Sequence, residues 1–463
     1  MVAKAKRQEG KKVKARALPP PNLMRGDLHL EVTGFKAVGE STSVKIAPLT
    51  ILAGSNSAGK SSFMQPFLLL KQTIDSSFDP GPILLHGPNA KFTAMTQTLS
   101  RGKSRSSQAD TFSVALSIGS HRRAITFRMS NDGFNIVEDI SSDGVHKVSL
   151  NERMSNASLE GLSPYFNSIG LHYREVSTAQ DSKGEYKLAI ERNRCFLDLG
   201  LTFGIPGDRR MSLSVPLIDR HTEVWSNLIR GIIHVPGLRG NPEREYPRSA
   251  VGDTYIGRFD TYVASIILEW SGRSPEKVRT LARNLELLGL TWKIRARKVN
   301  DAAVELLVGR TPHAQQGGAL DLVSVADVGF GVSQALPVLV ALLAASRGQV
   351  VYLEQPELHL HPRAQLSLAQ PLVAAARRGV RVVLETHSSL LIRALQTAIA
   401  SGSIPASSVS MNWFSRDPET GFANLSVAEL DDKGRFGEWP LDFDEIAQDA
   451  DLAYLDAIRG SKI

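Results

Sequence analysis

The sequence predicts an α/β protein: a mixed sheet flanked by helices, with an inserted antiparallel β-rich and helical lobe. Three observations carry this. An apolar strand run leads into a glycine loop and a helix near residue 60. A second alternation of strands and helices fills 320–400. Between them lie short β-type runs broken by Gly, Asn, Asp and Ser turns.

The elements follow in chain order. Residues 1–16 hold Lys4, Lys6, Arg7, Lys11, Lys12, Lys14 and Arg16 against Glu9 alone, so +6 of the net charge of +7 lies here and the remainder is near neutral. Pro19-Pro20-Pro21 closes this stretch, and it has no apolar core of the kind a secretory signal needs. Residues 1–24 therefore read as a disordered basic tail, either a solubilising terminus or a non-specific contact to nucleic-acid phosphates. Leu28–Phe35 and Val44–Ala53 read as strands, and a helix is expected from Lys60 to about Ile74, with Pro66 early enough to do little damage. Residues 25–105 read as the first half of an α/β unit and 316–463 as the second. The lobe between them, 106–315, opens with strand runs such as Thr111–Leu116 and Ala124–Phe127. Helices near 256–271 and 274–288 and strands near 291–298 and 302–309 complete it. Beyond lie the strand Val350–Leu353, a helix near 364–378 and the strand Val380–Leu384. No repeat or sustained heptad is visible.

Bulk properties exclude several classes. The 463 residues are 42% hydrophobic, enough for a real core. No apolar run reaches the roughly 20 residues needed to cross a bilayer, and the longest, Ala335–Ala345, contains Pro337. A soluble, cytoplasmic protein is expected. Cys195 is the only cysteine, which rules out an internal disulfide or a multi-cysteine metal site.

Gly54-Ser55-Asn56-Ser57-Ala58-Gly59-Lys60-Ser61 matches G-x-x-x-x-G-K-[ST] in full, between a strand and a helix. Gly54, Asn56, Ala58 and Gly59 let backbone N–H groups turn inward on phosphates, and the helix start at Lys60 to Ser62 adds its positive end. Lys60 is expected to reach the terminal phosphates of ATP, and the Ser61 hydroxyl to serve Mg2+. Three further motifs lie downstream. Asp327-Val328-Gly329-Phe330-Gly331-Val332-Ser333-Gln334 opens a helix with glycines and a serine. Val350–Leu353 ends in Glu354-Gln355-Pro356-Glu357, as where a buried strand delivers acids to metal and water. The strand Val382–Leu384 ends in Glu385-Thr386-His387-Ser388, where a histidine can sense a phosphate. Gly331 lies 23 residues before Glu354 and His387 30 after Glu357, so all fall within one α/β unit.

These motifs resemble the ABC-type ATPase superfamily in its non-transporter branch, with the SMC, RecF and OLD proteins. Glu354-Gln355-Pro356-Glu357-Leu358-His359-Leu360-His361-Pro362 is similar to the E-Q-P-E-x-H-L-H-P run of bacterial AAA ATPases of anti-phage systems, such as Septu- and PARIS-like subunits. His234–Gly240, Asp327–Gln334 and Gly434–Pro440 look like that group too. The resemblance implies an ABC-type head whose two copies sandwich ATP. Asp327, Gly329, Gly331 and Ser333 would reach the partner's nucleotide, Glu354 would hold Mg2+ through water, and His387 would be the switch histidine. The general base would normally follow the magnesium acid directly, where Gln355 stands and cannot take a proton. Glu357 would fill that role, or Gln355 would only orient water and turnover would be slow. Gln97 is a candidate for the glutamine that approaches Mg2+.

The leading functional reading is therefore an ATP-driven switch controlling a separate toxic effector such as a nuclease. The 76 residues after His387 are too few for an appended nuclease domain of OLD type. The alternative is a RecF- or SMC-like DNA-repair or DNA-bridging ATPase. A transporter subunit fits poorly, because 265 residues separate Ser61 from Asp327. Arg239 and Arg244 sit in a turn-rich loop suited to a phosphate, a neighbouring subunit or surface salt bridges. Trp439 reads as packing, and Trp225, Trp270 and Trp413 as core or interface residues.

Overall fold

The computed structural model describes residues 26–103, 108–155, 158–159, 161–162, 186–205, 208–217, 220–252, 254–310, 321–437 and 452. The basic tail and Glu438-Trp439-Pro440 lie outside them. Strands β1 (Leu28–Thr33), β2 (Thr42–Ile46) and β3 (Leu49–Gly54) precede helix α1 (Lys60–Asp75). Then come β4 (Thr111–Ile118), β5 (His121–Met129), β6 (Phe134–Ser142) and β7 (Lys147–Leu150). Strands β8 (Tyr186–Asn193), β9 (Phe196–Ile205) and β10 (Asp208–Leu217) lead to α2 (Arg220–Arg230). Next are β11 (Ile233–Val235), β12 (Tyr246–Pro247), α3 (Val263–Arg273), α4 (Pro275–Leu287), β13 (Ile294–Lys298), β14 (Ala303–Gly309) and β15 (Leu322–Ser324). The described elements end with α5 (Phe330–Ala344), β16 (Val350–Glu354), α6 (Pro362–Ser367), α7 (Ala369–Arg377), β17 (Arg381–Glu385), α8 (Ser389–Ala400), β18 (Val409–Arg416) and β19 (Ala423–Val427).

The sheet that carries the phosphate loop has the order β11-β16-β17-β3-β18-β19, parallel throughout except for the last pair. Its inner strands are apolar at consecutive positions because both faces are covered. Side chains alternate between faces. Ile51, Val351, Leu353, Val382 and Leu384 pack toward α3, α4, α5, α7 and α8. Leu52, Val350, Tyr352, Val383 and Phe414 pack the other way, toward α1 and α2. Each such buried aliphatic side chain contributes roughly 1.5–3 kcal/mol, so this double-sided core fixes where the strand ends lie.

A second, antiparallel sheet, β2-β1-β4-β5-β6-β7, lies on the α1 side. Val44–Ala53, expected to run as one strand, divides at Ala47-Pro48 and its halves join different sheets. Proline offers no N–H to a ladder, which makes it a natural break. The burial pattern changes at the same point, alternating through β2 and continuous through β3. Strand pairing crosses the boundaries expected at 105/106 and 315/316, since β4 pairs with β1 and β15 with β14. The segment 106–315 also supplies β11 to the edge of the phosphate-loop sheet. The sheet β10-β9-β8 is tied to its neighbour by a buried ion pair. Arg123 meets both oxygens of Asp139 at 2.5 and 2.6 Å and donates to the Leu197 carbonyl, while Leu197 N–H donates back to Asp139. Among the described residues no helix is long and apolar enough to cross a membrane.

Candidate functional site

The loop after β3 is shaped by positions that only small residues tolerate. Gly54 has φ +138°, and a Cβ there would lie 2.0 Å from the Phe414 carbonyl oxygen of the adjacent strand. Gly59, at φ +113°, would strike the Ala423 methyl at 2.7 Å. The chain can curl this tightly against β18 and the start of β19 because neither has a side chain. Lys60, 3% exposed, folds its ammonium back into the curl and donates to the carbonyls of Gly54 at 3.0 Å and Ser55 at 2.8 Å. Burial lowers its pKa, while Glu385 and Glu357 oppose that shift.

Around the loop lies a cleft of about 810 Å3. Asn56, Ala58, Gly59, Lys60, Ser61 and Ser62 form its floor. Lys36, Arg101 and Arg416 add positive charge, and Gln355, Glu385 and His387 close it from the strand ends of β16 and β17. Four cations against one carboxylate suit a polyphosphate anion. Lys36, itself in the left-handed region at φ +48°, donates to Gln65 Oε1 at 2.9 Å and stands 5.4 Å from the centre of the Phe92 ring.

Each strand end contributes in a specific way. Gln355 adopts φ +41°, a conformation that non-glycine residues rarely hold and that concentrates at functional sites. Its N–H donates to the Glu385 carbonyl at 2.8 Å, so the turn after β16 is stitched to β17. Glu357 is buried, and its Oε1 accepts from Thr386 Oγ1 at 2.7 Å and from His387 N–H at 3.0 Å. Its Oε2 is buried without a hydrogen-bond partner, and Glu357, like Glu354, is absent from the cleft lining. Burial and the nearby Lys60 lower the pKa of His387, against an opposing bond to Gly54, which favours the neutral ring.

Glu354 and Glu385 are Cα partners on adjacent strands and both interact with the Tyr352 hydroxyl, yet their other partners differ. Glu354 Oε1 lies 3.0 Å from His234 Nε2, and Oε2 accepts from Gly237 N–H at 3.0 Å. Glu354 is absent from the cleft lining. Burial pushes its pKa up, but His234, the Gly237 N–H and the Tyr352 hydroxyl outweigh that, and the net shift is downward. Glu385 faces the loop: Ser61 Oγ donates to Oε1 and Tyr352 OH to Oε2, each at 2.8 Å. Burial raises its pKa despite both bonds.

The glycine-serine segment stands elsewhere. Gly329 caps α5, Ser333 donates to the Phe330 carbonyl at 2.9 Å, and Asp327, Gly329 and Phe330 are exposed. Neither they nor Gly331 and Ser333 line the cleft. Asp327 is held at the surface by Arg244 at 2.6 and 3.0 Å. Arg239 is instead buried: it donates to the Gln334 carbonyl at 3.1 Å and to those of Glu354 and Gln355 at 3.0 and 3.2 Å, strapping α5 to the turn after β16. Burial drops its pKa to about 10. Gln97 lines the cleft, but its amide is occupied locally by Thr93 and Ala94.

Sequence reasoning passed over Lys36, Arg101, Arg416 and Glu385. Only Glu385 carried a signal, an acid ending an apolar strand as Glu354 does. The three basic residues are scattered singly over nearly the whole chain.

Residues 237–393 match a family model described as "AAA domain, putative AbiEii toxin, Type IV TA system". Comparison with curated proteins finds no match. Among solved structures, an SMC head bound to the C-winged helix domain of ScpA aligns at 10% identity and TM-score 0.46, covering 88% of this chain and 98% of that one. The SMC head domain from Thermotoga maritima aligns at 9% and 0.37, over 88% of this chain and 100% of that one. An Smc head from Pyrococcus furiosus, bound to the C-terminal domain of ScpA, aligns at 10% and 0.40, over 94% and 99%.

Proposed function

We propose that this chain is an ABC-type ATPase working as a nucleotide-driven switch between subunits. The observation that carries the reading is the convergence on one cleft of Lys60, Ser61, Gln355, Glu385 and His387, drawn from three different strand ends beside a glycine-shaped loop. The loop fits ATP on its own geometry. Lys60 is parked on two carbonyls in a position to exchange them for phosphate oxygens, and the Ser61 hydroxyl is a hard oxygen suited to the accompanying Mg2+. That cation would neutralise charge on the phosphates. For Glu357 to accept a proton from attacking water, its buried Oε2 must open to the cleft when nucleotide binds, while Gln355, already on the cleft wall, orients that water and His387 donates to a phosphate.

Asp327, Gly329, Gly331 and Ser333 are exposed or half-buried and lie off the cleft, which supports their acting on a second copy's nucleotide. ATP would then clamp two heads together. The E-Q-P-E-x-H-L-H-P run and the toxin-antitoxin description of the matching family support a defence role, with the head holding or releasing a separate nuclease or toxin. The test is equilibrium binding of a fluorescent ATP analogue, with mass measured by light scattering. Lys60→Ala is expected to abolish binding and ATP-induced dimerisation together. Wild-type affinity in Lys60→Ala would refute the reading.

A further inference from the structure

We infer that the carboxylate holding the divalent cation beside Ser61 is Glu385, at the end of β17, and that Glu354 is a positioning residue. This rests on the ATP reading of the same cleft. Four observations support it. Glu385 is the only carboxylate lining the cleft among the described residues. Its Oε1 already receives the hydroxyl hydrogen of Ser61, the loop residue whose oxygen faces a nucleotide's metal. Both oxygens of Glu354 are committed, one to His234 and one to the Gly237 N–H. Finally, Tyr352, whose hydroxyl interacts with both acids, ties each to a different set of partners. Its hydroxyl holds Glu385 Oε2, and its ring stacks at 5.3 Å and 12° on the His234 imidazole that grips Glu354.

The chemistry matches the placement. Mg2+ keeps several waters and takes one or two protein oxygens beside phosphates, so a single carboxylate paired with a serine hydroxyl is sufficient. Ser61 Oγ and Glu385 Oε1, now bonded to each other, are the two oxygens that would hold the cation. The Tyr352 bond to Oε2 persists and orients the carboxylate, as outer partners of metal sites do. Glu354 acts through its partners. Through His234 and Gly237 it fixes the loop that carries Arg239, and so the attachment of α5 to the turn at Gln355.

The experiment measures affinity of the full chain for a slowly hydrolysed fluorescent ATP analogue in Mg2+ and in EDTA, for wild type, Glu385→Gln, Glu385→Asp and Glu354→Gln. Mn2+ electron paramagnetic resonance with the same nucleotide reports the metal directly. Wild type is expected to bind more tightly with the cation. Glu385→Gln keeps its affinity in EDTA, which also shows that the loop is folded, but loses the gain from Mg2+ by about tenfold or more and weakens bound Mn2+. Glu385→Asp, which retains a carboxylate, recovers part of the gain. Glu354→Gln keeps the whole gain. A gain retained in Glu385→Gln and lost in Glu354→Gln overturns the inference alone. Wild type that binds no nucleotide in either buffer overturns the ATP reading and the inference with it.

Discussion

Replacing Glu357 by glutamine exchanges one oxygen for an NH2 in a buried side chain, so the structural and chemical effects can be separated. Oε1 accepts bonds from Thr386 and His387, and an amide oxygen can accept both. Bonds to a charged acceptor are worth about 1.5–3 kcal/mol and neutral ones about 0.5–1.5. The loss over two bonds is therefore about 2–3 kcal/mol, offset in part because a neutral amide costs less to bury than a carboxylate. A net cost of about 1–2 kcal/mol leaves the fold and the loop intact. The proposed proton acceptor, in contrast, is gone. Removing a general base typically slows a reaction by about 10²- to 10⁴-fold, or roughly 3–5 kcal/mol in the barrier. Phosphate release under single-turnover conditions should fall by that factor, while titration with labelled ATP gives an affinity within about threefold of wild type, under 1 kcal/mol. Thr386→Val is the control: it deletes one of the supporting bonds and keeps the carboxylate, so hydrolysis should persist. If Glu357→Gln releases phosphate at the wild-type rate, Glu357 is not the base and Gln355 must organise the water by itself.

Two further expectations follow from buried groups. Arg239→Met removes the donor to three carbonyls, on Gln334, Glu354 and Gln355. At about 1–3 kcal/mol for each buried acceptor left unpaired, thermal unfolding should drop by several degrees, and ATP binding should survive while ATP-induced dimerisation fails; dimerisation unchanged in this variant would refute the role of Arg239 as a strap. Cys195 is fully buried, and burial, reinforced by Asp139, raises its thiol pKa well above the ordinary range. A thiol reagent at pH 8 should label it only as fast as the surrounding strands open, so rapid labelling of native protein would contradict the packing of β9.

The phosphate loop was legible because its eight residues are contiguous and combine glycine-dictated backbone geometry with the side chains of Lys60 and Ser61. The strand ends were legible as positions but not as directions. Glu354 and Glu385 close similar apolar strands, and the orientation of each is decided by distant partners, His234 for one and Ser61 for the other. Period-two alternation marked Thr111–Leu116 as a strand, yet it says which face is buried and not which strand lies alongside. That β4 pairs with β1, across the phosphate loop in sequence, is set by the shared core with α1. Arg239 was read in a turn-rich loop, where guanidinium groups are usually solvated; its burial follows from carbonyls supplied by α5 and β16.

Strand β3 sits between β17 and β18, whose residues follow it by more than 300 positions. Gly54 is pressed against the Phe414 carbonyl, and Ser61 is bonded to Glu385. On the ribosome, a chain extended through Ser61 has its loop sequence but neither neighbour to shape it. At about 5–20 residues per second, synthesis of the stretch up to Phe414 takes roughly 20–70 s, and through that interval the nascent chain should be inert toward nucleotide. Prematurely terminated products would share this incapacity.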